Sequence, residues 1–494
     1  MIKLLCRFIL VVILLDILSC TPARDTHIKP SNPFEELNNE IDYLLSDPNL
    51  QNAQIGLYIE SLSDQKILYK MNEYKLFIPA SNMKLFTTAA AFAILGDDFR
   101  FKTSVKTNGK ISNDTLYGDL IIYGGGDPTF SGRFYDNCTL CAFSAWADSL
   151  QMRGIKVIKG DVIADDSFFN GAALGEGWDW DDLPFWYAAE SSALSLNDNC
   201  VDITIFAADS LGLPVKVKTD PKVAGIEIVN NSVTVASDSI STLKITRDLG
   251  QNKIIISGQF PLSNHTIRRS VTVHNPTSFF INAVKTVLEN NDISILRIKQ
   301  ETLPDSAKSL FNIYSPSLSQ IVKVVNKRSQ NFYAEQLLKT MGAYLYNEGS
   351  FESGVKAVSK WGNTVGIDNN SFIMVDGSGL SRKNFITPKA VARLLEYMSI
   401  QHYFLQFYNT LPVSAVDGTL KNRMAGTPAA NNVHAKTGTM SHVKNLSGYL
   451  RGKDGKLYLF VILANNFSVP SSYISNLQDH ICVLLYNYST SIAD

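Results

Sequence analysis

Three short stretches of this sequence have the residue types and spacing to activate a hydroxyl and hold an anion. The first is Ser81-Asn82-Met83-Lys84. Pro79 precedes a run rich in Ala, Leu, Met and Phe, and Gly96 ends it, which predicts that Ser81 opens a largely apolar helix. Lys84, three residues on, then lies on the same face one turn along. A serine hydroxyl is a weak nucleophile until a base takes its proton, and an amine can do so when burial or a nearby cation lowers its pKa. The helix N-terminus also favours negative charge developing at Ser81. The second stretch, Ser329-Gln330-Asn331, falls between two helical patterns and predicts a tight loop. Its Ser could relay a proton, and its Asn amide could hold a substrate amide or the lysine. The third is Lys436-Thr437-Gly438-Thr439 on a predicted strand. There the lysine supplies positive potential, the threonine hydroxyls can bind a carboxylate, and Gly438 would let a ligand approach the backbone.

Each stretch alone also reads as ordinary structure: a core helix with a solvated lysine, an interhelical turn, a strand with an exposed lysine. Their joint occurrence, each on the element its chemistry requires, favours function. A Ser-His-Asp alternative is weaker, because Gly377-Ser378-Gly379 is no Gly-x-Ser-x-Gly elbow and no histidine sits in a partner motif. There is no His-Glu-x-x-His for a zinc peptidase. No metal or cofactor is expected.

Residues 32–46 read as an amphipathic helix, and 55–60 and 66–70 as two strands. From about residue 101 the texture turns to short β-like segments through 274, with little helix. Gly124-Gly125-Gly126-Asp127-Pro128 in that block reads as a turn cluster, since no Gly-Lys-Ser/Thr follows to make a phosphate loop. Helical spacing returns at 278–290, from 317, and at 333–346, 354–365 and 388–399. Strands follow at 433–439, 444–450 and 457–465, then a helix at 471–486. Joined across the β-rich block, the outer parts predict an α+β fold, an antiparallel sheet flanked by helices. The expected organisation is a catalytic domain split into residues 30–100 and 275–494, with 101–274 inserted as two smaller, mostly β domains.

The chain has 494 residues, with 45 Lys plus Arg against 46 Asp plus Glu, so no strong overall field draws nucleic acid or an anionic membrane. Lys3 and Arg7 precede an apolar run at 8–15 that is too short to span a bilayer, so residues 1–20 read as an export signal. Ile17-Leu18-Ser19-Cys20 resembles a bacterial lipobox, which makes Cys20 the candidate lipidation site and membrane tether. Cys138 and Cys141 form a C-x-x-C with no second pair for zinc. A local disulfide fits an oxidising compartment, with Cys200 and Cys482 as buried thiols. A thioredoxin-like role is not expected, because no βαβ pattern is evident around the pair.

The ordered set Ser-x-x-Lys, Ser-x-Asn, Lys-Thr-Gly resembles the D-alanyl-D-alanine carboxypeptidase/endopeptidase family, the class C low-molecular-mass penicillin-binding proteins. The resemblance runs from about residue 50 to the end. It includes Gly124 to Thr129, Ser192 to Asn199, Tyr333-Ala334-Glu335-Gln336-Leu337-Leu338 and Asp376-Gly377-Ser378-Gly379-Leu380-Ser381-Arg382. It implies a penicillin-binding-protein/β-lactamase-like fold, peptidoglycan stem peptides and cross-bridges as substrates, and β-lactams as covalent inhibitors. By this resemblance Ser81 is the nucleophile, Lys84 the base, Ser329 the proton relay and Asn331 the residue that orients the peptide. Lys436 supplies charge, and Thr437 and Thr439 take the terminal carboxylate. The backbone N–H groups of Ser81 and Thr439 form the oxyanion hole. Gly177-Trp178-Asp179-Trp180-Asp181-Asp182 resembles a segment reaching back to the active site, where Asp182 and Trp180 would meet a diaminopimelate side chain; a surface turn with buried tryptophans is the alternative. No Glu-x-x-Leu-Asn lies between Ser329 and Lys436 to supply a deacylating glutamate. Penicillin is therefore expected to acylate Ser81 and leave slowly. The competing readings are a β-lactamase or esterase on the same scaffold, and a non-hydrolytic cell-wall or penicillin sensor.

Overall fold

The computed structural model describes residues 32–263, 265–302 and 307–488. The signal and Cys20 therefore lie outside the described residues. No helix among them is long and apolar enough to cross a membrane.

The catalytic scaffold is a five-stranded antiparallel sheet. Its order is Val433–Met440, Val443–Arg451, Leu457–Asn465, Gln54–Ser61 and Lys66–Met71. The apolar run in Leu457–Asn465 serves both faces, because successive side chains point to opposite sides of a strand. Leu459, Val461 and Leu463 pack against the helices Met83–Leu95, Leu318–Arg328, Asn331–Tyr346 and Pro388–Ser399. Tyr458, Phe460, Ile462 and Ala464 face the helices Pro33–Leu45 and Ser471–Asn487 through Leu37, Ile41, Ile474 and Ile481. This is the α+β, antiparallel-sheet architecture that the sequence predicts.

A second body is built on a seven-stranded mixed sheet and two three-stranded sheets that share one hydrophobic cluster. Its limits correct the sequence boundary. Helix Pro276–Asn290 buries Phe279, Phe280 and Val284 against Phe143 and Trp146 of this body, not against the catalytic sheet. Strands Ser294–Gln300 and Lys308–Tyr314 pair with its strands Val157–Asp165 and Lys102–Thr107. Helical periodicity reports that one face is buried but not which sheet buries it, so residues 275–314 were not separable from the catalytic part by pattern alone. The catalytic helices resume at Leu318.

Cys138 and Cys141 are joined in a disulfide, and Cys200 and Cys482 are buried free thiols. Cys141 opens a helix, Cys141–Gln151, between Leu120–Tyr123 and Val157–Asp165, which pair in parallel. A βαβ unit therefore does surround the C-x-x-C, contrary to the sequence reading.

Candidate active site

Ser81 sits in a single 3-10 turn, Ala80–Asn82, that runs directly into Met83–Leu95. Asn82 anchors this turn to the sheet: its side-chain amide donates to Lys436 O at 2.9 Å, and its Oδ1 accepts from Ser447 Oγ at 2.7 Å. Gly438 then has a different purpose from the one its motif suggests. A Cβ there would stand 2.5 Å from Pro79 O, so the missing side chain makes room for the serine's own turn rather than for a ligand. Gly379 meets the turn from the other side, where a Cβ would stand 1.8 Å from Ala80 O and φ is +80°. Backbone contact from two directions fixes where the Ser81 hydroxyl points.

Lys84 is fully buried beneath that hydroxyl. Its Nζ lies 2.9 Å from Ser81 Oγ, 2.6 Å from Asn331 Oδ1 and 2.7 Å from Ser378 O. Burial lowers its pKa to about 7, against the opposing pull of the Glu335 and Asp376 charges. A neutral amine has two N–H groups and one lone pair. The Asn331 and Ser378 oxygens can only accept, so they take both N–H groups and leave the lone pair directed at the Ser81 hydroxyl. The arrangement can thus remove the serine proton near neutral pH.

Ser329 and Asn331 bracket the junction of two helices. Leu318–Arg328 ends with Ser329 in a left-handed conformation (φ 58°), and Asn331 begins Asn331–Tyr346. Asn331 spends its side chain on scaffold groups, accepting from Lys84 and donating its Nδ2 to Tyr187 O at 2.7 Å. The contact with the lysine is one of the two roles expected of its amide. Lys436 Nζ donates to Ser329 Oγ at 2.9 Å and to Thr437 O at 3.0 Å. Burial drives the Lys436 pKa well down, and the Lys84 charge adds to this. A carboxylate bound beside it would restore the positive charge.

Two stretches that the family resemblance includes without a chemical role, Tyr333 to Leu338 and Asp376 to Arg382, support the base. Fully buried Glu335 accepts from Gly377 N at 2.7 Å and Ser378 N at 2.8 Å. It thereby fixes the loop whose Ser378 carbonyl holds Lys84. Asp376, equally buried, accepts from Gly379 N, Ser381 N and Trp178 Nε1 at 2.7 to 2.9 Å. Burial pushes the Glu335 carboxyl upward, while the two N–H donors oppose the shift. A glutamate inside a helix with apolar residues on both sides of it, Phe332 to Ala334 and Leu337 to Leu338, was the available sequence signal.

A cleft of about 600 Å³ opens over Ser81, lined among others by Ser329, Asn331, Thr437, Thr439 and Asp182. Asp182 is held by the Tyr187 hydroxyl at 2.7 Å. Trp180 is not brought to this cleft: it is 71% exposed, and Trp186 and Tyr187 line the wall instead. Trp178 is half-buried, so the turn with two buried tryptophans is not observed either. The Phe185-Trp186-Tyr187 aromatic run was the signal for this wall. Arg382, at the end of the second supporting stretch, also lines the cleft, as do Asp179 and Asp181.

A serine and lysine in contact at a helix start, beside a Ser-x-Asn junction and a Lys-Thr-Gly strand, place this fold among the penicillin-binding proteins. It matches the structure of penicillin binding protein 4 from Haemophilus influenzae with a TM-score of 0.81 and 26% identity, covering 91% of this chain and 99% of that one. The chain belongs to the D-Ala-D-Ala carboxypeptidase 3 (S13) family, which it matches over residues 37–488. It is 33% identical over 469 residues to the D-alanyl-D-alanine carboxypeptidase of Actinomadura sp. (strain R39), covering 92% of this chain and 85% of that protein. It is 28% identical to the carboxypeptidase DacB of Haemophilus influenzae, covering 85% and 86%. The family expected from the sequence is therefore the family found.

Proposed function

We propose that this protein is a serine D-Ala-D-Ala carboxypeptidase and D,D-endopeptidase acting on peptidoglycan peptides through an acyl-enzyme on Ser81. The observation that carries the reading is the Lys84 amine, buried, 2.9 Å from Ser81 Oγ, with both N–H groups engaged elsewhere. Ser81 Oγ attacks the carbonyl of the penultimate D-alanine as Lys84 takes its proton. The N–H groups of Ser81 and Thr439 stabilise the oxyanion, an effect of roughly 3 kcal/mol per donor. The C–N bond breaks as Ser329 passes the proton held by Lys84 on to the leaving amine, which returns Lys84 to its neutral form and leaves Ser329 protonated. Lys436, Thr437 and Thr439 receive the leaving carboxylate. Water then hydrolyses the ester and regenerates the serine. Asn331 acts chiefly by holding Lys84, and Asp182 with Arg382 meets the charged end of the diaminopimelate side chain.

β-Lactams acylate the same serine. Export to the cell envelope belongs to this reading and is supported by the Cys138–Cys141 disulfide, a bond favoured in oxidising compartments. A lipid tether at Cys20 is part of the same proposal.

The test is incubation of purified protein with a fluorescent penicillin and with muropeptides, followed by mass spectrometry. A lasting Ser81 adduct together with D-alanine release and dimer cleavage supports the peptidase. Rapid penicillin turnover would make it a β-lactamase, and an adduct without peptide cleavage a sensor.

A further inference from the structure

A cavity larger than the cleft over Ser81 lies beside it. This cavity, of about 930 Å³, shares Trp186, Arg328 and Thr419 with the cleft. Thr419 places this cavity relative to the chemistry, because its hydroxyl is 2.8 Å from Thr437 Oγ1. Thr437 follows Lys436, whose Nζ contacts Ser329 Oγ. These residues take the leaving group in the mechanism above, so the larger cavity begins where the leaving group departs. Asp179, Asp182 and Arg382, on the acyl side, line the smaller cleft and not the larger cavity.

A departing D-alanine ends at its carboxylate and needs no space past Thr437. A cross-link does need it, because its leaving amine belongs to a second stem peptide. The walls carry Arg133, Lys323, Lys327 and Arg328 against Asp198, Asp202 and Asp417, a net cationic lining that suits such a peptide, whose free carboxylates make it anionic. Lys323, Lys327 and Arg328 lie on one helix, Leu318–Arg328, and all three line the cavity. Lys327 is paired with Asp417 at 2.7 Å. Lys323 and Arg328 are exposed and, among the described residues, make no ion pair. Trp186, 39% exposed, adds an apolar face. The cationic lining continues past Arg328 into a further cavity of about 740 Å³ that carries Lys218, Arg268 and Arg269.

We propose that the cavity between Lys323, Arg328, Trp186 and Thr419 is the subsite for the amine-bearing stem peptide of a cross-link, with Lys323 and Arg328 holding its carboxylates. This rests on the endopeptidase reading above. It separates the two activities physically: carboxypeptidase turnover uses the cleft alone, and endopeptidase turnover uses both cavities.

The experiment compares the wild type, Lys323→Glu and Lys323→Arg on a cross-linked muropeptide dimer, on a monomeric pentapeptide and in fluorescent-penicillin labelling. Lys323 faces solvent, so neither variant disturbs the core. Lys323→Glu is expected to lower kcat/KM for the dimer about tenfold, the loss of one charge-assisted contact, while pentapeptide turnover and labelling stay within about twofold. Lys323→Arg keeps the charge and should retain dimer cleavage. If the wild type cleaves dimers but Lys323→Glu leaves that rate unchanged, or slows both peptides equally, the subsite is refuted and the activity stands. If the wild type releases D-alanine and takes penicillin but leaves dimers intact, the endopeptidase reading fails and the subsite with it.

Discussion

Glu335→Gln isolates the support beneath the base. Glu335 reaches no substrate, yet both of its oxygens accept backbone N–H groups from Gly377 and Ser378, at 2.7 and 2.8 Å. Two N–H donors aimed at two oxygens favour the ionised carboxylate, whereas burial favours the neutral acid. The variant tells which prevails. Glutamine keeps the shape but offers one acceptor, so one buried N–H faces an NH2 group; the lost charge-assisted bond and the stranded donor cost about 2–4 kcal/mol of stability. If Glu335 is charged it holds the Lys84 pKa up, since its charge opposes the effect of burial. Removing it lowers that pKa, and the base becomes neutral at lower pH. Wild-type penicillin acylation should rise with pH through about 7, the Lys84 pKa. In Glu335→Gln the midpoint of that rise should move to lower pH by about one unit, equivalent to ~1.4 kcal/mol of lost charge interaction. The plateau rate should fall as the Ser378 carbonyl loses its anchor. Stopped-flow acylation from pH 5 to 9, with thermal melts alongside, reads all three effects. A reduced plateau with an unmoved midpoint would show that Glu335 is neutral in the folded protein and that its role is purely structural.

Ser81→Ala should abolish both penicillin labelling and peptide hydrolysis while leaving the melting temperature within a few degrees, checked by gel fluorescence and calorimetry; residual labelling would move the nucleophile elsewhere. Gly438→Ala should slow acylation about a hundredfold or more and destabilise the fold by about 1–3 kcal/mol, because the new Cβ meets Pro79 O at 2.5 Å. A variant that acylates normally would mean that the serine turn has room to move. His434 stacks on Tyr408 at 4.0 Å, and burial lowers its pKa from 6.5 to about 4. Above pH 6.5 it is neutral in both folded and unfolded chains. As pH falls from 6.5 towards 4 only the unfolded chain takes up the proton, so stability is lost. Allowing for the ring's partial exposure, this amounts to about 1–2 kcal/mol. Urea unfolding of wild type and His434→Phe at pH 7 and 4.5 should show the variant losing less stability on acidification.

The sequence by itself determined the candidate reactive groups and the elements that carry them. Ser81 and Lys84 are three residues apart on one chain segment, so any helix starting at Pro79 brings them together. The strand over Leu457–Asn465 follows from local pattern in the same way, because a short unbroken apolar run bounded by a turn reads as a strand buried on both faces. Contacts between distant segments have no such local record. Only the fold brought Glu335 to the Gly377-Ser378 amides, set Gly438 against the Pro79 carbonyl, and chose Trp186 rather than Trp180 for the cleft wall. Only the fold assigned helix Pro276–Asn290 to the second body, since an amphipathic face does not specify its partner. The pKa of Lys84 belongs to the same class. It comes from desolvation, a property of the surrounding tertiary structure, and that is what would turn an ordinary lysine into a base.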